Sequence, residues 1–323
     1  MRNRRPNHVL RLGTRASMLA RVQSQQVARD LEQLNPGLTV ELVLLRTTGD
    51  QITDRPLHEF GGKGLFTSEL EQALLRDEVD LAVHSMKDVP VTMPLVDTAR
   101  LVIAAIPKRE DPRDALVSSN GVTLDALQRG ARVGTGSLRR RAQLLNLRPD
   151  LDVVAIRGNI DTRLKRALDG DLDATVLAVA GLHRCGLFDG EIAQALDVDR
   201  FIPAAGQGAL AIQCRRDDPR TRALLAKLSD DDTSTCVEIE RSIVAGLNGD
   251  CHSPIAALAT IKDGRIFVNA AVAARDGGRP LIRASAEAGL ANAREARRQI
   301  LELLISQGAI DLLHTEAKHA TCA

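Results

Sequence analysis

Twice in succession the chain alternates short aliphatic runs with longer stretches at helical spacing, a pattern that commits it to βαβ units and so to an α/β fold. In the first unit, strands are expected over His8–Gly13, Thr39–Arg46, Val79–His84 and Leu101–Ile106. Helices are expected over Ser17–Leu34, stopped by Asn35-Pro36-Gly37, and over Thr67–Arg76. The polar, proline-bounded run Pro107–Asp114 reads as a hinge or linker. The alternation then repeats: strand Ala131–Gly134, helix Ser137–Leu147, strand Val153–Ile156, helix Asp161–Leu168, strand Ala174–Val179. A strand at Ala209–Cys214 fits either unit; if it returns to the first, two segments join the lobes.

From about Asp230 the texture changes. A helix over Thr233–Leu247 leads into Asn248-Gly249-Asp250-Cys251-His252-Ser253-Pro254. Strands at Ile255–Ile261, Arg265–Ala273 and Pro280–Ala284 follow, with Asp263-Gly264 as a hairpin turn and a last helix over Asn292–Ser306. This reads as a separate small α+β domain, with a loose tail after Leu313.

At 323 residues the chain exceeds what one core sustains, so two or three domains are expected. It has no Trp or Tyr and only five Phe, so aliphatic residues build the cores, and the composition argues against stacking platforms for bases. Its 43 Lys and Arg nearly balance 42 Asp and Glu, which argues against a nucleic-acid partner held by bulk charge and makes any anion affinity local. No apolar run approaches the roughly 20 residues of a membrane helix. The basic N-terminus lacks the apolar region and cleavage site of a signal peptide. Five scattered cysteines without a C-x-x-C pair suit a reduced, cytoplasmic protein.

Cations concentrate in the second unit, where Arg132 to Arg166 holds nine Arg or Lys against three Asp. Arg139 and Arg140 fall in the first turn of a helix, following Gly134-Thr135-Gly136-Ser137, where the helix dipole disfavours positive charge. Accepting that cost points to an anion gathered there by backbone N–H groups and guanidinium forks. Arg141, Arg148, Lys165 and Arg166 read instead as a solvated face. Arg157 follows a strand and Arg163 lies on the next helix, while Arg15 holds the matching place in the first unit. Two lobes thus offer cations from strand ends to a common cleft suited to an anionic small molecule.

Asp88 follows a strand beside Lys87, with His84 and Ser85 near, and can stabilise a developing cation or shuttle protons; a capped turn before Pro90 is the alternative. Cys251, in a polar turn, is expected to be exposed and open to modification, whereas Cys185, Cys214 and Cys236 read as buried small hydrophobes. Dinucleotide, Walker and nucleophile-elbow signatures fail, and Cys251-His252 has no second ligand pair at metal spacing, so no metal is expected.

Eight short motifs occur in order: Gly13-Thr14-Arg15-x-Ser17, Gly61-Gly62-Lys63-Gly64-Leu65-Phe66, His84-Ser85-Met86-Lys87-Asp88-Val89-Pro90, Arg109-Glu110-Asp111-Pro112-Arg113-Asp114, Gly134-Thr135-x-Ser137-Leu138-Arg139-Arg140, Arg157-Gly158-Asn159, Leu177-Ala178-x-Ala180-Gly181-Leu182 and Gly206-Gln207-Gly208. In this the chain resembles the porphobilinogen deaminase family over nearly its whole length. The resemblance implies two lobes like type II periplasmic binding proteins around a cleft, plus a smaller α+β C-terminal domain. The partition expected is 8–106 with 209–228, then 107–208, then 229–323. It also implies a transferase of tetrapyrrole biosynthesis that joins four porphobilinogen molecules, releases ammonia at each step and frees hydroxymethylbilane, acting as a cytoplasmic monomer.

By the same resemblance Cys251 carries a dipyrromethane cofactor through a thioether. Ser85, Lys87, Asp88, Thr135, Ser137, Arg139 and Arg140 would hold that cofactor. Arg15, Ser17, Lys63, Phe66, Arg157, Arg163 and Gln207 would hold substrate. Asp88 would be catalytic, accepting pyrrole N–H bonds and stabilising the cationic azafulvene left by ammonia. Arginine suits the acetate and propionate groups because its fork meets a carboxylate bidentately. The chain departs from the family pattern in Asp250, where Gly is common, in His252-Ser253, and in Gly136, where Ser is usual. An Asp250 charge close to the thiol would raise its pKa and slow cofactor attachment. The rival reading is a two-lobed binding protein for an anionic ligand, which leaves Cys251, Asp88 and the third domain without a role.

Overall fold

The computed structural model describes residues 8–45, 67–91, 97–250 and 252–314. The first lobe runs β1 (Val9–Arg15), α1 (Met18–Leu34), β2 (Thr39–Leu45), α2 (Ser68–Leu75), β3 (Leu81–Ser85) and β4 (Leu101–Ala105). The second runs β5 (Asp114–Val117), β6 (Arg132–Gly134), α3 (Leu138–Leu147), β7 (Asp152–Val154), α4 (Ile160–Leu168), β8 (Ala174–Ala178), α5 (Val179–Arg184) and β9 (Ala193–Ala195). Next come β10 (Leu210–Arg215) and α6 (Pro219–Ala226). The last part comprises α7 (Asp231–Gly246), β11 (Ile255–Lys262), β12 (Arg265–Ala273), β13 (Leu281–Gly289), α8 (Ala293–Ser306) and α9 (Ala309–His314).

Two five-stranded sheets share one topology: β2-β1-β3-β10-β4 and β7-β6-β8-β5-β9. In each, three strands are parallel and the fourth in spatial order runs antiparallel to both neighbours. That antiparallel strand is the one that has just crossed between lobes. β5 enters the second sheet after residues 106–113, and β10 returns to lie between β3 and β4 after residues 196–209. The position of β10, open on the residues alone, is settled by its pairing with Val83 and Ala105 through Ile212. The C-terminal part is a three-stranded antiparallel sheet, β11-β12-β13, packed on α7, α8 and α9 around Ile243, Val268, Ile300 and Leu304.

Several elements depart from the expected bounds. β13 runs on to Gly289 because β12 pairs with it along its whole length, outweighing the weak strand propensity of Ala284, Ala286 and Ala288. Asp114 was grouped with the polar linker but is the fully buried first residue of β5. α6 was not expected, although Asp218 caps it by accepting from Thr221 N at 2.9 Å, with Pro219 at the first helical position.

The two crossing segments pass in close contact. Glu110 N donates to Gly208 O at 3.2 Å, and a Cβ on Gly208, whose φ is +87°, would lie 2.3 Å from Glu110 O.

Candidate active site

The carboxyl ends of the parallel strands point to one region, where open α/β sheets place their ligands. On the first lobe Arg15 ends β1, Ser17 caps α1, Ser85 ends β3, and Lys87 and Asp88 lie in a 3₁₀ turn over Met86–Asp88. Arg15, Ser17, Gln23, His84, Ser85 and Asp88 line a cavity of about 60 Å³. Gln23 Nε2 donates to Ser85 Oγ at 3.0 Å. His84 is buried and bonded through Nε2 to Gln213 Oε1 at 2.8 Å; desolvation, opposed by that bond, lowers its pKa to about 4. It is therefore neutral near pH 7 and adds no charge to the site.

On the second lobe, the loop from β6 into α3 is shaped by short polar bonds. Ser137 N donates to Thr135 Oγ1 at 3.2 Å, and the Ser137 side chain caps α3 by accepting from Arg140 N. A Cβ on Gly136 would stand 2.7 Å from Ile156 O, so this chain packs the loop against β7's exit more closely than a serine there would permit.

Arg139 and Arg140 are buried, and the anion they meet is the chain's own Asp114. Arg139 Nη1 donates to Asp114 Oδ2 and to Ile202 O, each at 2.7 Å. Arg140 grips Asp114 Oδ1 through Nε and Nη2, and Val176 O through Nη1. Gln207, also buried, donates to Asp114 Oδ1 at 3.0 Å and to Pro112 O at 2.7 Å, while accepting from Lys87 Nζ at 3.4 Å. These bonds link the first lobe's Lys87, the returning crossover and the second lobe's arginine pair. Each terminal guanidinium nitrogen carries two hydrogens, so donors remain for a further carboxylate.

Among the described residues, two carboxylates, Asp114 and Asp88, face the cations Lys87, Arg139, Arg140, Arg157 and Arg163. Burial first, then the neighbouring Arg140, push the Lys87 pKa down to about 8 against the pull of Asp88 and Asp114. Burial, then Arg140, similarly push Arg163 down to about 10, with Arg157 adding to the effect and Asp88 opposing it. Arg163 Nε is held by Gly158 O at 2.8 Å, and Arg157 Nη1 is buried with no hydrogen-bond partner among the described residues. Such an orphaned donor is costly unless something supplies an acceptor. A ligand bearing several carboxylates fits the donor set: it would neutralise the surplus charge and accept from Arg157.

Lys63, Phe66 and Cys251 lie outside the described residues. Beside Cys251, Asp250 Oδ1 accepts from His252 N and from Ser253 Oγ, both at 2.9 Å, so its carboxylate is engaged in closing the turn.

Four residues of this region were not singled out from the sequence. Asp114 organises the arginine pair. Arg184 donates to Gly208 O at 2.8 Å and has a buried Nε without a partner among the described residues. Glu240, fully buried on α7, accepts from Arg109 and from the backbone N–H groups of Gly206 and Ala259, tying the third domain to both crossing segments. Arg241 reaches the turn that carries Asp88. The Arg-Glu-Asp-Pro-Arg-Asp motif was a signal for Asp114; the other three had none in local pattern.

Two family models match the chain: "Porphobilinogen deaminase, dipyromethane cofactor binding domain" over residues 10–223, and "Porphobilinogen deaminase, C-terminal domain" over residues 234–305. Curated relatives named porphobilinogen deaminase include one from Syntrophotalea carbinolica, 49% identical over 304 residues that cover 94% of this chain and 95% of the relative. Another, from Syntrophobacter fumaroxidans, is 49% identical over 307 residues, covering 95% and 97%. Among solved structures, the periplasmic aliphatic sulphonate binding protein from Escherichia coli overlaps 94% of this chain and 88% of its own at TM-score 0.39 and 14% identity, a likeness too slight to carry weight. With both family models spanning its lobes and its C-terminal part, and with relatives half-identical along nearly its full length, the chain belongs to the porphobilinogen deaminase family.

Proposed function

We propose that Asp88 is the catalytic carboxylate and Cys251 the covalent anchor of a dipyrromethane cofactor in this transferase, which joins four porphobilinogen molecules head to tail, releases ammonia and frees hydroxymethylbilane. The observation that supports this reading is the cluster of cations at the strand ends: Lys87 and Arg163, lowered in pKa by burial and then by Arg140, and Arg157, whose buried Nη1 has no acceptor among the described residues. A growing chain of acetate- and propionate-bearing pyrroles supplies the missing anions.

When bound, the dipyrromethane supplies the pyrrole carbon to which substrate units are joined. Arg139 and Arg140, with Ser85, Lys87, Thr135 and Ser137, hold its carboxylates. Arg15, Ser17, Lys63, Phe66, Arg157, Arg163 and Gln207 hold those of the substrate. Asp88 accepts pyrrole N–H bonds and offsets the positive charge that develops on the substrate as ammonia departs; a fixed charge at such a point contributes without reorganisation. The partition into residues 8–106 with 209–228, 107–208 and 229–323 places the Cys251 turn in the third domain. The protein acts as a cytoplasmic monomer without membrane or nucleic-acid partners.

Intact-mass measurement tests the reading. Purified protein should carry a covalent pyrrole adduct, and limiting porphobilinogen should add a ladder of equal mass increments. An unmodified chain that binds anionic ligands reversibly would instead mark a receptor, and free di- or tripyrroles with no enzyme-bound ladder would refute growth on the protein.

A further inference from the structure

Adjacent residues on α7 reach two different parts of the machinery. Glu240 holds the crossing segments, whereas Arg241 points to the turn that carries Lys87 and Asp88. Arg241 Nη1 donates to Met86 O at 3.2 Å and to Val89 O at 2.8 Å, and Nη2 donates to Pro90 O at 2.7 Å. These carbonyls bracket Asp88 on both sides in sequence.

Met86 and Val89 pack the turn against Ala209, Ala211 and, on α7, Val237, while its own backbone hydrogen bonding is sparse. It is a single 3₁₀ turn closed by Val89 N donating to Met86 O at 3.2 Å, its cap makes no side-chain hydrogen bond, and Asp88 itself is exposed. Its start is set by Met86 N donating to Ala209 O at 3.0 Å, and its end converges on one guanidinium from another domain. Three charge-assisted bonds from a planar fork add to that packing a directional hold on the carbonyls either side of Asp88.

We infer that Arg241 is a positioning residue for Asp88: from α7 it sets the direction of the carboxylate by holding the backbone carbonyls on either side of it. The inference rests on the proposed role of Asp88. Arg241 touches no reacting atom in this scheme. Its removal should act on turnover through geometry, where a displacement on the order of 1 Å can cost up to about a hundredfold.

The test uses holoenzyme and a double-mutant cycle. Arg241→Met keeps the aliphatic stem and removes the donors; kcat should fall about tenfold or more, with KM changed less than about twofold and the covalent mass adduct intact. Arg241→Lys, which restores charge and part of the donor set, should recover part of the loss. In an Asp88→Asn background, Arg241→Met should cost little more, because the group it aims has already been disabled. Normal kcat in Arg241→Met overturns the inference, as does the same fold-loss in both backgrounds, which would mark a purely structural role. If Arg241→Met does not fold, the cycle is run with Arg241→Lys, and additivity there overturns it equally. The two readings fail separately: near-normal turnover of Asp88→Asn alone removes the role of Asp88, whereas a crippled Asp88→Asn beside an unimpaired Arg241→Met removes only the positioning role.

Discussion

Arg140 grips a single oxygen of Asp114 with two nitrogens, Nε at 3.0 Å and Nη2 at 2.7 Å, where Asp114 is fully buried and the Arg140 side chain keeps only 7% of its surface exposed. Arg139 takes the other oxygen. The carboxylate therefore organises the two cations proposed to receive the cofactor, and the pair of guanidinium groups holds the Asp114 pKa well below the usual carboxylate range despite its burial.

Asp114→Asn is expected to destabilise the fold by about 3–5 kcal/mol, the cost of leaving buried cations without their counter-charge. The sign of the pH effect follows from the lowered pKa. The stabilisation is fully present above the unfolded value of 3.8 and is lost as pH falls below it toward the folded value. Denaturant unfolding between neutral pH and pH 3 should show this acid-dependent component in the parent and not in the variant. Equal stability of the two proteins at pH 7 would remove Asp114 from the account.

Cys251→Ala is expected to give folded protein without a covalent pyrrole: Cys214 and Cys236 lie in β10 and α7, Cys322 is in the tail, and Cys185, half-buried in the turn after α5 and not buried as its sequence suggested, has its thiol pKa raised by desolvation. Cys214 and Cys236 are buried with thiols pushed up to about 11 and about 12 by desolvation, which keeps them protonated and unreactive at neutral pH. Intact mass and peptide mapping decide the point. A full adduct on the variant, or an adduct mapped to another cysteine, would reassign the anchor.

Asp88→Asn preserves size and removes charge. Turnover should fall on the order of a hundredfold or more while substrate still binds, since a fixed carboxylate aimed at a developing positive charge is worth several kcal/mol to the transition state. Steady-state kinetics with kcat and KM resolved separately provide the check. A kcat within about twofold of the parent would exclude Asp88 from the chemistry.

Lys87 gives the site a pH limit on its alkaline side. Its pKa is lowered to about 8, so in the apoprotein it is charged below that value and neutral above it. Cofactor uptake by apoprotein should therefore weaken as pH rises through about 8. Lys87→Arg, which stays protonated, should extend uptake to higher pH. An uptake profile that is flat from pH 7 to 9.5 in the parent would show that the Lys87 charge is not used.

The first-order architecture was legible because its signals are local. Helical periodicity from Ser17 to Leu34 and from Ser137 to Leu147, the break at Asn35-Pro36-Gly37 and the Asp263-Gly264 turn each act within a few residues, and the structure has α1, α3 and the β11–β12 hairpin there. The positions of Arg15, Ser85, Lys87 and Asp88 at strand ends followed from the same patterns.

Partner choice over long separations was decided only by the tertiary structure. In sequence, Asp114 is one more charge in a polar run, and nothing local distinguishes a solvated carboxylate from one that receives two guanidinium groups 25 and 26 residues away. The return of β10 to the first sheet depends on the edges left open by β3 and β4, and the reach of Arg241 to Pro90 spans 151 residues. Burial converts such pairings from weak surface contacts into strong constraints, because water no longer competes for the charges. Residue type and spacing thus pointed to the strand-end cations and to Asp88, while the packing of three sheets determined which groups meet them.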